Sequence, residues 1–252
     1  MAPADAARQP ALEPTEPAPR PRAVVISCEH AVREIPPEVA AQIAIPHRVL
    51  TSHRGYDRGA MEIAMALAEQ MRSPLFLGTL TRLVVDLNRS EGTGDLFSRY
   101  GRSLDGSSRE QLLRQHYRSF RDQVRAEIER RLSQGLHVLH LSVHTFTPRF
   151  RGERRTADIG LLFDPARDAE NHFAEAWREA ILQHWPQLIV KMNYPYLGTD
   201  DGHTTALRTD FPDPQYLGIE LEVNQSWPRG SGRRFDRLLQ TLRQSLAAAT
   251  DQ

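Results

Sequence analysis

The fold of this chain is decided by the stretch AVVISCEH, residues 23–30. Its first five residues, Ala23 to Ser27, are almost all apolar, which is typical of a strand in a sheet that is covered on both faces. The polar residues Glu29 and His30 follow directly. Ligands of open α/β sheets bind just beyond the carboxyl ends of the strands. This order therefore predicts an α/β protein with a functional site that begins near residue 29.

Strands and helices interleave along the rest of the chain. Short apolar runs predict further strands at residues 74–78, 82–87, 137–143, 160–163, 188–192 and 216–223. Apolar side chains at helical spacing predict helices at residues 57–71, 107–135, 168–185 and 233–249. Ser107 and Glu110 match a capping box that would open the second of these helices. The alternation predicts a single α/β domain with a mixed or largely parallel sheet.

Composition narrows the class of protein. The 252 residues include 32 basic and 32 acidic side chains, so no net charge is available to hold nucleic acid or an anionic membrane. The single cysteine, Cys28, excludes an internal disulfide and a cysteine-based zinc cluster. No apolar run is long enough to span a bilayer. We expect a cytoplasmic protein whose partner is a small molecule, and the sequence leaves its oligomeric state open.

The first 21 residues differ in composition from the rest. They are rich in Ala and Pro, and they lack the central apolar stretch of a signal peptide. We therefore predict a disordered tail over residues 1–21 and one folded domain over residues 22–252.

Polar side chains follow several of the predicted strands. They are Asn88 and Arg89, His144, Asn193 and Tyr196, and the pair Glu220 and Glu222 on one face of the last strand. The chain has no P-loop, no G-x-G-x-x-G opening a helix and no G-x-S-x-G elbow. Nucleotide binding and serine-hydrolase chemistry therefore have no support in the sequence.

Two histidines at strand ends, with carboxylates nearby, suit a zinc site that keeps one coordination position open. An amide hydrolase also needs a base for the water proton and a cation for the oxyanion, and Arg89 would supply the cation. Alternative roles exist, because a histidine after a strand can be a core residue and Asp57 can be a helix N-cap. Arg89 can also pair with Asp86. His137 and His140, inside the strand at residues 137–143, are interpreted as structural.

Six ordered segments carry a resemblance to a known family. They are SCEHAVREIP (27–36), SHRGYDRGA (52–60), TRLVVDLNRS (81–90), LSVHTFTP (141–148) followed by RTADIGLLFD (155–164), NYPYLG (193–198) and GIELEVNQ (218–225). The set resembles the N-formylglutamate amidohydrolase family, and specifically its broader branch of predicted members. The resemblance implies a three-layer α/β/α sandwich around a mixed sheet, similar to zinc carboxypeptidases and aspartoacylase-like deacylases.

The resemblance also implies a site for one divalent metal, Zn²⁺. His30 and His144 match the metal-binding histidines. The related carboxypeptidases take a glutamate ligand from H-x-x-E, and this chain has Arg33 at that position. The acidic position of this branch is matched by Asp57, which we expect to be the carboxylate ligand. Two nearby carboxylates are the alternatives, Glu34 and Glu29.

Further matches imply the catalytic and substrate-binding residues. Glu222 matches the expected general base. Asn88 and Arg89 match the pair that meets the terminal carboxylate of the substrate in the carboxypeptidase relatives, so Arg89 is expected both in catalysis and in substrate binding. The remaining candidates for substrate contact are Arg155, Asn193 and Tyr196.

The implied reaction is metal-dependent hydrolysis of a small N-acyl amino acid. The expected substrate is N-formyl-L-glutamate, which yields formate and glutamate in a step of histidine degradation. Two positions depart from the family pattern: Glu220 stands where many members have Gln, and Gln225 where many have Arg. The alternatives are a deacylase or peptidase for another N-acyl amino acid or small peptide, and a non-catalytic protein that binds carboxylates on the same scaffold.

Overall fold

The computed structural model describes residues 23–229 and 232–251, so the predicted tail at residues 1–21 lies outside the described residues. The strands are β1 (Ala23–Cys28), β2 (Leu75–Leu77), β3 (Val138–Phe146), β4 (Arg149–Phe150), β5 (Glu153–Arg154), β6 (Ile159–Leu162), β7 (Val190–Met192) and β8 (Tyr216–Asn224). The helices are α1 (Pro37–Ala40), α2 (His47–Leu50), α3 (Ala60–Met71), α4 (Arg99–Arg102), α5 (Gly106–Leu112), α6 (Ser119–Leu132), α7 (Asp168–His184), α8 (His203–Arg208), α9 (Ser226–Arg229) and α10 (Arg233–Asp251). A π-helical segment, Leu113–Arg118, joins α5 to α6.

Six strands form one sheet in the order β2-β1-β3-β8-β6-β7. The first four of these run parallel to one another. β6 is antiparallel to β8 and parallel to β7, so the sheet is mixed and largely parallel. β4 and β5 form a separate small hairpin. The predicted α/β fold with a mixed sheet is therefore confirmed.

Helices cover both faces of this sheet. α3, α7 and α10 share one apolar core with the strands, in which Ile63, Trp177 and Leu242 are fully buried. α6 and α8 pack on the other face, where Val124 and Leu207 join a second core. Burial on both faces explains why the central strands read as nearly continuous apolar runs.

The order of connections fixes where a ligand can bind. The chain leaves β1 through α3 to reach β2 on one side, and later reaches β3 on the other side after α5 and α6. These helices lie on opposite faces of the sheet. A topological switch point therefore lies between β1 and β3, and open α/β sheets bind ligands in the crevice at that point. His30 lies just after β1 and His144 lies near the end of β3.

The prediction of a strand at residues 82–87 is wrong. This segment forms turns, in which the amide of Val84 donates to Thr81 O and the amide of Asp86 donates to Leu96 O. Three of its apolar side chains are buried in the second core, as those of a strand would be: Val84, Val85 and Leu87. A buried loop and a buried strand therefore share one sequence pattern here. The loop carries Asp86, Asn88 and Arg89 to the edge of the sheet.

The helix predicted over residues 107–135 is present but differs at its start and in its middle. Its N-cap is Asp105, whose Oδ1 accepts a 2.8 Å hydrogen bond from the amide of Ser108, and Ser107 is not the cap. The π-helical segment interrupts it. Tyr117, in that segment, donates its hydroxyl to Arg89 O at 2.7 Å. The helix thus supports the loop that carries Arg89.

None of the helices within the described ranges is both long and apolar enough to cross a membrane.

Candidate active site

A cavity of about 160 Å³ opens at the carboxyl edge of the sheet, beside the switch point. The loop after β1, the loop at residues 82–89, β3, β8 and the β4–β5 hairpin all contribute to it. Of the residues predicted from the sequence, it is lined by His30, Asp57, Asn88, Arg89, His144, Arg155, Tyr196 and Glu222. Non-adjacent parts of the chain thus converge on one cavity.

His30, Asp57 and His144 form a buried triad whose possible ligand atoms lie within 4.8 Å of one another. The Nδ1 atoms of His30 and His144 are 3.3 and 2.9 Å from Oδ2 of Asp57. Two imidazoles and one carboxylate that meet at a cavity wall are a donor set typical of catalytic zinc sites. The residues present therefore fit one divalent metal.

The second ring nitrogen of each triad histidine has its own partner. Nε2 of His30 is 2.7 Å from Oδ1 of Asp86. Nε2 of His144 is 2.9 Å from Oγ of Ser142. Metal-binding histidines usually donate this second N–H to such a partner, which leaves the other nitrogen free to bind metal. The arrangement agrees with Nδ1 as the ligand atom of both rings.

Asp57 and His144 stabilise each other's charged forms. Burial alone would raise the pKa of Asp57, but His30 and His144 hold it well below the usual range of an aspartate. Burial would lower the pKa of His144, but hydrogen bonds to Asp57 and Glu29 raise it well above that of an ordinary histidine. The carboxylate of Asp57 therefore stays ionised although it is buried.

The two alternative carboxylates lie elsewhere. Glu34 is exposed, and its Oε2 accepts a hydrogen bond from the amide of Arg33. Glu29 is fully buried and belongs to a second cluster with His140 and His203. The geometry thus brings Asp57, and neither glutamate, to both triad histidines.

The polar atoms of the second cluster bond to one another and to nearby hydroxyls, apart from Nε2 of His203, which is buried without a partner among the described residues. Oε1 of Glu29 is 2.8 Å from both Ser27 Oγ and His203 Nδ1. Nε2 of His140 is 2.9 Å from Ser27 Oγ, and its Nδ1 is 2.8 Å from the hydroxyl of Tyr216. The cluster lies behind the cavity wall. His140, interpreted from the sequence as structural, is fully buried there, whereas His137 lies 3.0 Å from Pro214 O.

Glu222 projects from β8 into the cavity. Its Oε2 is buried and has no hydrogen-bond partner among the residues described. Burial, together with the charges of Asp57 and Glu220, raises the pKa of Glu222 to about 8 against the opposing charge of His144. Across the ladder lies Gly160, where a Cβ would stand 1.7 Å from Tyr194 O. A carboxyl of this kind can accept and return a proton near neutral pH.

Arg82 also lines the cavity, and the sequence analysis did not assign it a role. Its Nη2 lies 2.8 Å from Oδ2 of Asp86, and its Nη1 lies 3.7 Å from Oδ1 of Asp57. These two carboxylates fix a guanidinium beside the triad. The only signal in the sequence was a charged residue at the start of an apolar run, four residues before Asp86.

Arg89 differs from Arg82 in its partners. Its Nη1 donates to the carbonyl oxygens of Asn88 and Asp201, at 2.9 and 2.6 Å. It forms no salt bridge within the part of the chain that the structure describes, and Asp86 is paired with Arg82 and His30 instead. The side-chain amide of Asn88 lies 3.3 Å from Nε2 of His144. Arg89 thus brings to the cavity a guanidinium that forms no ion pair with a carboxylate of the described chain.

Arg155 stands at the mouth of the cavity among three aromatic rings. Its guanidinium carbon is 4.6 Å from the ring centre of Phe150, 5.1 Å from that of Tyr196 and 5.8 Å from that of Phe146. Its Nη2 donates to the Tyr196 hydroxyl at 3.3 Å. Like Arg89, it has no salt bridge to a described carboxylate. The rings hold it by cation–π contacts and leave its charge available.

Two further residues singled out from the sequence, Asn193 and Gln225, also lie outside the cavity lining. Asn193 has a left-handed backbone (φ 47°), and its Oδ1 accepts hydrogen bonds from the amides of Phe163 and Gly198. It orders its own loop, so its predicted role as a donor to substrate has no support in its position. Gln225 is buried and donates to Thr145 Oγ1 at 3.1 Å. Gln225, a position at which the chain departs from the family pattern, therefore does not line the cavity.

Comparison with solved structures finds proteins that share this fold. A crystal structure of a gene product from Agrobacterium tumefaciens superposes with a TM-score of 0.76 and 26% identity, over 92% of each chain. An N-formylglutamate amidohydrolase from Ralstonia eutropha JMP134 shares the fold with a TM-score of 0.72 and 17% identity, over 93% of this chain and 94% of that one. No curated protein matches the chain.

The model of one protein family, described as N-formylglutamate amidohydrolase, matches residues 22–227. That match covers most of the chain, and it includes every segment from which the cavity is built. The chain therefore belongs to the N-formylglutamate amidohydrolase family and is a hydrolase that acts on an amide bond.

Proposed function

We propose that this protein uses one divalent metal to hydrolyse small N-acyl amino acids, with N-formyl-L-glutamate as its preferred substrate. The products would be formate and glutamate, and the resemblance would place the reaction in histidine degradation. The observation that carries the proposal is that one cavity is lined both by the His30–Asp57–His144 triad and by the unpartnered carboxyl of Glu222.

The metal would be held by Nδ1 of His30, a carboxylate oxygen of Asp57 and Nδ1 of His144. When bound there, a divalent ion supplies Lewis-acid chemistry, since it polarises the amide carbonyl and makes water more acidic. Mixed imidazole and carboxylate ligands suit Zn²⁺, which is the ion we propose.

Glu222 moves the proton. It takes a proton from the attacking water as the new C–O bond forms at the amide carbon. It returns that proton to the amine nitrogen as the C–N bond breaks, so that formate and the free amino group leave. General acid–base catalysis of this kind contributes roughly 10²- to 10⁴-fold to the rate.

Two arginines act on different charges. We assign Arg82 to the negative charge that develops on the amide oxygen, because Asp86 and Asp57 hold it beside the triad. We assign Arg89 to the α-carboxylate of the substrate, because it lines the cavity and has no carboxylate partner in the described chain. Asn88 and the Tyr196 hydroxyl orient the bound substrate.

Arg155 supports a dicarboxylic substrate. With Arg89 on the α-carboxylate, Arg155 is a second uncommitted guanidinium at the same cavity. Glu220 also lines the cavity, but its Oε1 accepts a 2.7 Å hydrogen bond from the Thr204 hydroxyl. This bond directs one carboxylate oxygen of Glu220 to Thr204 and reduces its repulsion of an anionic substrate. A side-chain carboxylate such as that of glutamate would therefore find a partner at Arg155.

A second candidate function is the deacylation of larger N-acyl amino acids or the cleavage of small peptides. The observation that favours it is the apolar rim of the cavity, where Phe150, Tyr196 and Leu197 are 41, 43 and 57% exposed. Such a rim could contact an apolar acyl group or a neighbouring peptide residue.

Formate release tests the proposed function. Purified protein loaded with Zn²⁺ should release formate from N-formyl-L-glutamate, and a chelator should abolish the release. N-formyl-L-glutamine, N-acetyl-L-glutamate and short peptides measure the side-chain and acyl preferences. Turnover of peptides or larger acyl substrates alone would favour the second candidate, and metal binding without any turnover would favour a carboxylate-binding protein.

Arg155→Met should make the enzyme less selective for a side-chain carboxylate. A hydrogen bond to a charged group contributes about 1.5–3 kcal/mol, so kcat/KM for N-formyl-L-glutamate should fall by about 10- to 100-fold. For N-formyl-L-glutamine the fall should be much smaller. The control is Arg154→Met, since Arg154 is an exposed neighbour that does not line the cavity. Equal losses for both substrates would remove Arg155 from side-chain recognition.

A further inference from the structure

Glu29 is a fully buried carboxylate directly behind His144, and it has no place in the reaction described above. It does not line the cavity. Its Oε1 is 2.8 Å from Ser27 Oγ and 2.8 Å from His203 Nδ1. Its Oε2 accepts a 2.7 Å hydrogen bond from Ser142 Oγ and lies 3.4 Å from Nε2 of His144. A buried charge costs several kcal/mol unless it is well partnered, so such a residue calls for a reason.

The hydrogen bonds around Glu29 have a fixed direction. A carboxylate only accepts, so the Ser142 hydroxyl gives its proton to Oε2 of Glu29. Oγ of Ser142 then has only lone pairs left for Nε2 of His144, 2.9 Å away. The amide of Asn88, at 3.3 Å, is the more distant neighbour of that nitrogen. With a metal at the triad, His144 would therefore keep its proton on Nε2 and offer the lone pair of Nδ1 to the ion.

The two triad histidines reach their carboxylates differently. His30 meets Asp86 directly, with 2.7 Å between Nε2 and Oδ1. His144 meets Glu29 chiefly through the hydroxyl of Ser142. Outer partners of this kind orient a ligand ring and raise its basicity, and their loss typically weakens metal binding about 10- to 100-fold.

We propose that Glu29, acting through Ser142, fixes the tautomer of His144 and thereby sets how tightly the triad holds its divalent metal. Glu29 is a positioning residue and not a ligand. The proposal rests on the metal triad of the proposed function, but it makes no use of the substrate.

A rival assignment places Glu29 in a second metal site with His140 and His203, since their possible ligand atoms also lie within 4.8 Å of one another. All but one of the ring nitrogens and carboxylate oxygens of this cluster have hydrogen-bond partners. The exception is Nε2 of His203, which is buried without a partner among the described residues. Ser27 lies between Glu29 and His140, and Tyr216 bonds the other nitrogen of His140. A cation would have to displace these bonds, and none of the three residues lines the cavity. The assignments differ in stoichiometry, since positioning predicts one ion per chain and the rival predicts two.

The test is a Zn²⁺ titration of metal-stripped protein in competition with a chromophoric chelator, without substrate. Glu29→Gln should raise the Kd for Zn²⁺ about 10- to 100-fold while one ion still binds per chain. The matched control is Glu170→Gln. Glu170 is equally buried and accepts bonds from Arg208 and the amide of Gly218, and none of these residues lines the cavity. That variant should lose stability without a change in Kd.

A serine pair keeps the proposal testable if Glu29→Gln does not fold. Ser142 and Ser27 are both fully buried and both donate to Glu29, but only Ser142 contacts His144. Ser142→Ala should raise the Kd for Zn²⁺, and Ser27→Ala should leave it near the wild-type value. Equal Kd values for these two folded variants, or two bound ions per chain in the wild type, would overturn the proposal. Because no substrate is present, these results do not depend on whether N-formyl-L-glutamate is hydrolysed.

Discussion

Replacing Glu222 with Gln should lower kcat by roughly 10²- to 10⁴-fold and leave the bound metal in place. Glutamine fills the same space, but it can neither take a proton from water nor return one to the amine. No side chain of the described structure donates to Oε2 of Glu222, so the substitution removes proton transfer without breaking a hydrogen-bond network. The check is single-turnover formate release together with metal content.

Glu220→Gln is the matched control for that variant. Both residues lie on one face of β8 and line the cavity, but Glu220 is held by the Thr204 hydroxyl. We expect Glu220→Gln to change KM for an anionic substrate more than kcat. If Glu222→Gln keeps the wild-type kcat, or if both variants lose kcat equally, Glu222 is not the base.

The raised pKa of Glu222 also predicts that Glu222→Gln stabilises the fold at high pH. A thermal melt that shows this change also shows that the variant is folded. The folded protein holds this pKa at about 8 instead of the ordinary 4.5. Ionisation of Glu222 therefore destabilises the fold as the pH rises from about 4.5 to 8. Metal-stripped Glu222→Gln should melt at a higher temperature than metal-stripped wild type at pH 8. The difference should disappear below pH 4.5, where both side chains are neutral in the folded and the unfolded states.

The sequence predicted those parts of the site that lie on regular strands. A residue at the carboxyl end of a parallel strand is carried to one edge of the sheet by topology alone, whatever its neighbours are. His30, His144 and Glu222 are placed in this way, and all three line the cavity. The family resemblance, which the family match confirms, rested on the same segments.

Loop residues were harder to predict, because non-local contacts decide where their side chains go. The sequence pattern places Arg82 in a strand. In the structure it lies in a turn, and its ion pair with Asp86 directs its guanidinium towards the triad. Asn193 follows a strand, as expected, but its left-handed backbone directs its amide to Phe163 and Gly198. Glu29 is next to His30 in the sequence, yet only His30 lines the cavity and Glu29 is buried behind it. Successive side chains at the end of a strand point to opposite sides.

His144→Ala should abolish stoichiometric metal binding, and activity should be lost with it. In the proposed site His144 would supply one of three ligand atoms, and its Nδ1 also pairs with Oδ2 of Asp57 at 2.9 Å. Without it, His30 and Asp57 remain as a two-residue site, which is fewer than the three protein ligands of a catalytic zinc centre.

The control for His144→Ala is His137→Ala, from the start of the same strand region. His137 lies 3.0 Å from Pro214 O and does not line the cavity, so this variant should keep one ion per chain. Metal content after dialysis and circular dichroism together separate ligand loss from unfolding. A folded His144→Ala protein that still holds one ion at wild-type affinity would show that the metal is bound elsewhere. In that case the Glu29 cluster, whose two histidines would be intact, becomes the next place to look.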